Sequence, residues 1–461
     1  MDKAESIYRQ VLARQPSQPD ALHQLGILAA RRGDMDEAER LMGRAIDARP
    51  NFADALANLA NVLITRENFP DASTMLERSL ALNPKNAVAL SNLSFALRML
   101  GRFEEAADAA RRSLLLQPDR PDPLNNLGSA LEELGQFEEA NEAFRRAVAR
   151  DPNNAAVHLN LAHGLLRAGA WAEGWKEYEW RWKATSFRDA QRAFPEPRWD
   201  GSELNGRTIF LYAEQGLGDT IQFLRYVPMV KSRGRAGRVI MEVQPALKRL
   251  CNSLEGVDEL IAAAPGERPT GEVRCPLMSL PLMLGLIEEK DIPRGVPYVR
   301  SDSADPAQHR ARLKVGLLTS GNPRFKRNPE RSIPPSALGP LRELANTIDF
   351  ISLKKRTPDD PVEPPFPMTD PTDHLTDFAD TAALIDSLDL MVTVDSAVAH
   401  LAGAMGKETW LMLSLLRDWR WPMEGEKSIW YPTMRVFRQE TRGEWEPVIR
   451  RIAEALAQRL R

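Results

Sequence analysis

Prolines recur at positions 16, 50, 84, 118 and 152, each 34 residues after the last, and the positions between them repeat as well. A period of this length fits two helices and a turn, a unit that cannot bury its apolar face alone and must stack on its neighbours. Counting repeats from residues 19, 53, 87, 121 and 155, the fourth position holds Leu22, Leu56, Leu90, Leu124 and His158. The seventh holds Leu25, Leu59, Leu93, Leu127 and Leu161, so a spacing of three puts both on one face of the first helix. The eighth position is small (Gly26, Ala60, Ser94, Gly128, Ala162), as is the twentieth (Ala38, Ala72, Ala106, Ala140, Gly174), which lets paired helices approach closely. Each proline then stops a second helix.

The pattern resembles tetratricopeptide repeats, with Ala4, Tyr8, Val11 and Pro16 as the second half of an earlier unit, and predicts a superhelical array over residues 1–187. A start in mid-repeat fits either further repeats upstream or a single capping helix. Such arrays offer an extended groove to a peptide. The sixth position reads Gln24, Asn58, Asn92, Asn126 and Asn160, amides able to donate to and accept from an extended backbone of any sequence. This is similar to the asparagine ladder of O-linked N-acetylglucosamine transferases, and the resemblance implies that Asn58, Asn92, Asn126 and Asn160 contact an acceptor peptide. The alternative is that they hydrogen-bond only within the array. Trp171, Trp175, Tyr178, Trp180 and Trp182 crowd the fifth repeat, which requires burial against the next domain or else marks a platform for stacking carbohydrate.

Net charge is −3, which gives no long-range attraction to nucleic acid or to an anionic membrane. No apolar run approaches the roughly 18 residues of a membrane span, and residues 1–10 have no apolar signal core. The expectation is a soluble, cytoplasmic protein. Cys251 and Cys275 are the only cysteines, are too far apart for a C-x-x-C pair, and read as reduced core residues.

After a linker at 188–206 containing Pro195, Pro197 and Trp199, the periodicity becomes that of an α/β protein. Strands are expected at 208–213, 239–243 and 259–262 in a first half (207–305), and at 314–319, 349–353, 390–394 and 410–414 in a second (306–442). Gln215-Gly216-Leu217-Gly218-Asp219 forms a tight loop before a helix over 220–232; it lacks the third glycine of a dinucleotide fingerprint. In the second half, the run Leu390–Val394 leads through Asp395 and Ser396 into a helix over 397–405, closed by Gly406. Free N–H groups at Ser396, Ala397, Val398 and Ala399, at the positive end of the helix dipole, make a site for a phosphate. His400, on the same face as Ser396, either donates to the bound group or is a hydrogen-bonded core histidine.

The Gly-Leu-Gly-Asp loop and Val394-Asp395-Ser396-x-x-x-His400 resemble segments of bacterial ADP-heptose-dependent heptosyltransferases, which have the GT-B fold. Ser320-Gly321-Asn322-Pro323, Arg331-Ser332-Ile333-Pro334, Asp377-Phe378-Ala379-Asp380-Thr381 and Asp418-Trp419-Arg420-Trp421 are similar to bacterial fusions of tetratricopeptide repeats with such a transferase, some implicated in glycosylating flagellin. The resemblance implies two Rossmann-like halves, the first on the acceptor side and the second binding a nucleotide sugar, with transfer of the sugar to a protein hydroxyl. It makes Asp219 the catalytic base and Arg331 a phosphate-neutralising cation. Ser320, Asn322, Lys354 and Asp395 join residues 396–400 as donor contacts, with Lys326 and Arg327 in reserve, and Gln215, Gly216 and Gly218 form the cleft loop. A carboxylate beside a helix N-terminus is also a common cap, so Asp219 has that second reading. Thr319 and Lys354 stand where the family pattern leads one to expect Trp and Gln.

No metal and no cofactor beyond the donor substrate is expected, because GT-B enzymes generally stabilise the departing diphosphate with protein cations. Asp395 is read as orienting its loop, Asp380 and Thr381 as capping the helix carrying Ala382 to Leu388, and the Asp418–Trp421 loop as a wall on the acceptor side. A last helix over 444–460, within 443–461, places Val448, Ile452, Leu456 and Leu460 on one face, to brace the two halves about a hinge at 300–312. Two other readings stay open: a peptide-binding scaffold whose transferase halves are inactive, and a transferase acting on a lipid-linked or small glycan.

Overall fold

The computed structural model describes residues 2–184, 194–265, 269–302, 312–355, 366–415, 418–421 and 424–461. Parts of the expected linker (188–193) and hinge (303–311) lie outside them. The chain forms two compact units, Met1–Gly164 and Leu165–Arg461.

The first unit is a run of helix pairs such as Pro19–Arg31 with Met35–Ala48 and Ala53–Thr65 with Phe69–Leu82. The leucine stripe and the small positions are buried, and the latter are tight: a methyl added at Gly128 would lie 2.6 Å from the Phe144 ring. His158, in the leucine register, is buried and reaches the Pro152 carbonyl through Nε2 at 3.0 Å. Asp34, Asn68 and Asn86 cap helices by accepting from backbone N–H groups three residues on.

The second unit begins within the helix Ala155–Arg167, so Trp171–Tyr178 and the turn Glu179–Lys183, which their sequence groups with the repeats, pack with the α/β region. Trp171, Trp175 and Tyr178 are buried. Trp175 meets Trp419 at 5.4 Å and Phe223 at 5.9 Å between ring centroids, and Trp171 meets Trp430 at 5.7 Å. Those three aromatics are therefore packing rather than an open stacking platform, while Trp180 and Trp182 are half-buried. Arg181, fully buried, is held by Glu214 at 3.0 Å and Glu179 at 2.7 Å, which compensates the cost of burying its charge.

Nine strands follow among the described residues: β1 Thr208–Tyr212, β2 Arg238–Val243, β3 Glu259–Ala262, β4 Val273–Pro276, β5 Leu313–Leu318, β6 Ile348–Ser352, β7 Leu390–Val394, β8 Thr409–Leu413 and β9 Met434–Arg438. All pair in parallel, in two sheets ordered β3-β2-β1-β4 and β6-β5-β7-β8-β9. Each half is Rossmann-like. Strand order reverses beside β1 in the first sheet and between β5 and β7 in the second, and ligands of such sheets bind at those switch points. β4 and β9 were not among the expected strands.

Three expectations change. The helix over 220–232 is broken into Leu217–Phe223, a 3-10 turn at Leu224–Tyr226 and Val227–Ser232, with Pro228 in the first turn of the last piece. The cap of Phe378–Asp386 is Asp377, whose carboxylate accepts from Ala379 and Asp380 N–H; Asp380 instead binds Thr376 and Arg249. The final helix, Glu446–Arg459, buries Val448, Ile452 and Leu456 in the core of the second half, while Leu460 is 42% exposed. That core, rather than both halves, receives its apolar face. Cys251 and Cys275 are buried free thiols, and burial pushes Cys251 up to about 12.

Candidate active site at the junction of the two sheets

β7 is buried along its whole length, and the chain leaves it at Asp395 and turns at Ser396 into the helix Ala397–Ala404. Ser396 caps this helix, its Oγ accepting from Ala399 N–H at 3.3 Å. That removes Ala399 from the expected set of free donors. The N–H groups of Ala397 and Val398, both half-buried, have no acceptor among the described residues.

The Gly-x-Gly loop of the first half lies directly on this helix start. A Cβ built on Gly218 would fall 2.9 Å from His400 Cδ2 and 3.3 Å from Ala397 Cα, an approach only glycine permits. Asp219 follows at the third helical position. Its Oδ2 accepts from Gly216 N–H at 2.8 Å, and its Oδ1 accepts from Arg420 Nη2 at 2.5 Å across the two halves. Asp219 therefore caps its helix, and it stands where the two halves meet. Gln215 is engaged by the Tyr178 hydroxyl, to which it donates at 2.6 Å.

Arg420 is the residue that sequence reasoning assigned only to a wall. It is 8% exposed and donates to Asp219, to Asp418 Oδ1 at 2.6 Å and to Gln222 Oε1 at 2.9 Å, with its guanidinium over Trp419. Desolvation works against its charge, but Asp418 and Asp219 outweigh that and hold it protonated above the ordinary arginine range.

His400 is a buried, neutral imidazole. Nδ1 is 2.8 Å from the Tyr431 hydroxyl, the ring stacks on Trp421 with centroids 5.1 Å apart, and burial together with the Arg420 charge lowers its pKa to about 3. Asp395 moves the other way: desolvation and the Asp418 charge raise it to about 6, against the pull of Arg331 and Arg420. Arg331 is half-buried. Asn328 Oδ1 accepts from both Gly321 N–H (3.0 Å) and Arg331 Nε (3.2 Å), laying the guanidinium over the Cβ-less face of Gly321. Arg331, Asp395, Arg420 and His400 therefore form one field around the start of the helix.

Ser320 is half-buried beside Gly321, and exposed Asn322 folds its Oδ1 back on Arg324 N–H. Lys354 is half-buried beyond β6; Lys326 is exposed, and Arg327 pairs with Glu330 at 2.8 Å. In the first unit, each ladder asparagine gives an N–H to its own array: Asn58 to His23 Nε2 at 2.8 Å, Asn92 to Asn61, Asn126 to the Ser91 carbonyl and Asn160 to Asn125. Their own carbonyl oxygens, on half-buried side chains, accept nothing among the described residues. No group of three or more His, Cys, Asp or Glu side chains that could hold a metal ion is found among the described residues. No helix among them is long and apolar enough to cross a membrane.

Comparison with known proteins bears on both units. Tetratricopeptide-repeat family models match residues 1–59, 29–80 and 85–153, and the model described as glycosyltransferase family 9 (heptosyltransferase) matches residues 375–410, which contain Asp395–His400. Protein FlbA of Caulobacter vibrioides is 28% identical over 341 residues, 63% of this chain and 53% of FlbA, so the match spans about half that relative's length. Among solved structures, MamA is 23% identical (TM-score 0.32; 34% of this chain, 91% of that one). YrrB, described as a tetratricopeptide protein with an unusual peptide-binding site, is 17% identical (TM-score 0.34; 38% and 89%). The pilF protein of Pseudomonas aeruginosa is 27% identical (TM-score 0.33; 35% and 74%).

Proposed function

We propose that this chain, a tetratricopeptide array joined to a heptosyltransferase-like α/β region, moves a sugar from a nucleotide-sugar donor to a hydroxyl of a protein held by the repeats. The observation that carries this reading is the contact of Gly218 with Ala397 and His400, which puts the loop bearing Asp219 against a helix N-terminus with two free N–H groups and Arg331 nearby. Helix amides and a guanidinium are what a departing diphosphate needs, and their presence supports stabilisation of the leaving group by the protein without a metal. In the step envisaged, the acceptor oxygen bonds to the anomeric carbon as that carbon's bond to the diphosphate oxygen breaks, and the hydroxyl proton passes to Asp219. The acceptor class is a Ser/Thr-bearing protein of the flagellin type, and the site of action is the cytoplasm.

The engagement of both Asp219 oxygens favours a second reading, an inactive transferase fold serving a peptide-binding scaffold. Release of nucleoside diphosphate from a panel of nucleotide sugars, with and without a protein acceptor, separates the two. Turnover that falls at least about 100-fold in Asp219→Asn, the lower range for a lost general base, supports the transferase. No turnover with any donor supports the scaffold.

A further inference from the structure

Arg420 belongs to the second half, yet two of its three partners, Asp219 and Gln222, belong to the first. Side chains this buried in charge-assisted hydrogen bonds are held firmly, because a charge left without a partner there is costly. The surroundings also bring Arg420 to the candidate phosphate site. Its charge is felt by both His400 and Asp395, the residues flanking the free N–H groups of Ala397 and Val398. Asp219, its partner, follows directly on Gly218, which touches Ala397. Gln222, fully buried, gives its carbonyl oxygen to Arg420 while its own amide N–H group finds no acceptor among the described residues. A donor beside the ion pair is thus left for an oxygen that the protein does not supply.

We infer that Arg420 is a shared cation: paired with Asp219 in the resting protein, it turns part of its guanidinium to an incoming diphosphate and loosens its hold on that carboxylate. The inference rests on the donor-binding reading above. Two carboxylates now hold one guanidinium. A diphosphate at the N-terminus of the Ala397–Ala404 helix offers it further oxygens of higher charge, and the planar fork can serve two acceptors at once. Arg420 is then a positioning residue for Asp219 and a second phosphate cation beside Arg331, so that donor binding prepares the base.

The test is a double-mutant cycle on the full chain, read as dissociation constants for inorganic pyrophosphate and for ADP, GDP, UDP and CDP by calorimetry. If Asp219 competes for Arg420, Asp219→Asn tightens diphosphate binding by about fivefold or more, and Arg420→Gln weakens it by about tenfold or more. In the Arg420→Gln background, Asp219→Asn then changes affinity by less than about twofold, because the cation it competes for is gone. Arg420→Lys keeps the charge without the fork: it binds less tightly than wild type, and Asp219→Asn still tightens it. This variant carries the test if Arg420→Gln does not fold. Equal effects of Asp219→Asn in both backgrounds, with wild type binding diphosphate, overturn the shared-cation inference and leave the donor site standing. No binding of any of these ligands to wild type removes both.

Discussion

His400 and Asp395 lie five residues apart, and burial drives them in opposite directions, which gives their titrations opposite consequences for stability. His400 takes up its proton near 6.5 in the unfolded chain and only at about 3 in the folded one, so its neutral burial is stabilising above 6.5 and is lost as pH falls from there towards 3. By pH 5 the loss is about 2 kcal/mol, and urea unfolding of His400→Gln at pH 7 and 5 should lack that component. Asp395 is the reverse: its ionised form is disfavoured in the fold, a cost present above about 6 and relieved as pH falls to its unfolded value of 3.8. Asp395→Asn is expected to stabilise the chain at pH 7 by up to about 3 kcal/mol and by less than about 1 kcal/mol at pH 4. A gain that persists unchanged at pH 4 would contradict this origin. At this scale the sequence was partly legible. Ser396, Asp395 and Arg331 announce themselves by motif and spacing, but the partner of Asp219 does not, since Arg420 lies 201 residues away and only the closing of the two halves brings it near.

Elements carry constraints of their own. The turns within the repeats place residues 33, 101, 135 and 169, all glycine, at φ between 76° and 84°, but residue 67 is Glu67 at 59°. Glu67→Gly should raise the stability of the array by about 0.5–1 kcal/mol, relief of left-handed strain outweighing the added freedom of the unfolded chain; a lower melting temperature would count against the strain. At the junction the opposite exchange does harm. Gly218→Ala puts a methyl 3.3 Å from the Ala397 backbone and 2.9 Å from His400, so the loop and helix must part. We expect at least about tenfold weaker diphosphate binding with unfolding behaviour of the repeats unchanged, since small displacements of a positioned group are costly to function. Strand prediction failed only at β4 and β9, and for one reason. Both are edge strands, and Arg274, Pro276, Arg435 and Arg438 interrupt the apolar run that betrays a central parallel strand. The helical repeats were readable because period and packing coincide, Gly26 answering Met42 and Gly128 answering Phe144.

For the whole molecule, the proposed function asks the repeat array to recruit and the α/β unit to react. The ladder asparagines are half committed: each spends one N–H on its neighbour repeat, and under the proposed function its carbonyl is what would accept a backbone N–H of a guest. Asn92→Ala with Asn126→Ala should therefore reduce modification of a protein acceptor at least about tenfold, two lost hydrogen bonds at roughly 1 kcal/mol each, while donor hydrolysis continues. Equal loss of both activities would place the effect elsewhere. The α/β unit's claim is more basic, that amides of Ala397 and Val398 with Arg331 hold the phosphates of a nucleotide sugar. Thermal unfolding of the full chain and of Arg331→Gln with ADP, GDP, UDP, CDP and TDP tests it most directly. At least one nucleotide is expected to raise the melting temperature of the wild-type chain, by the equivalent of about 2.7 kcal/mol at a hundredfold excess over its dissociation constant, and Arg331→Gln is expected to lose most of that shift. A wild-type chain indifferent to all five, or an Arg331→Gln chain that responds as fully, would contradict it.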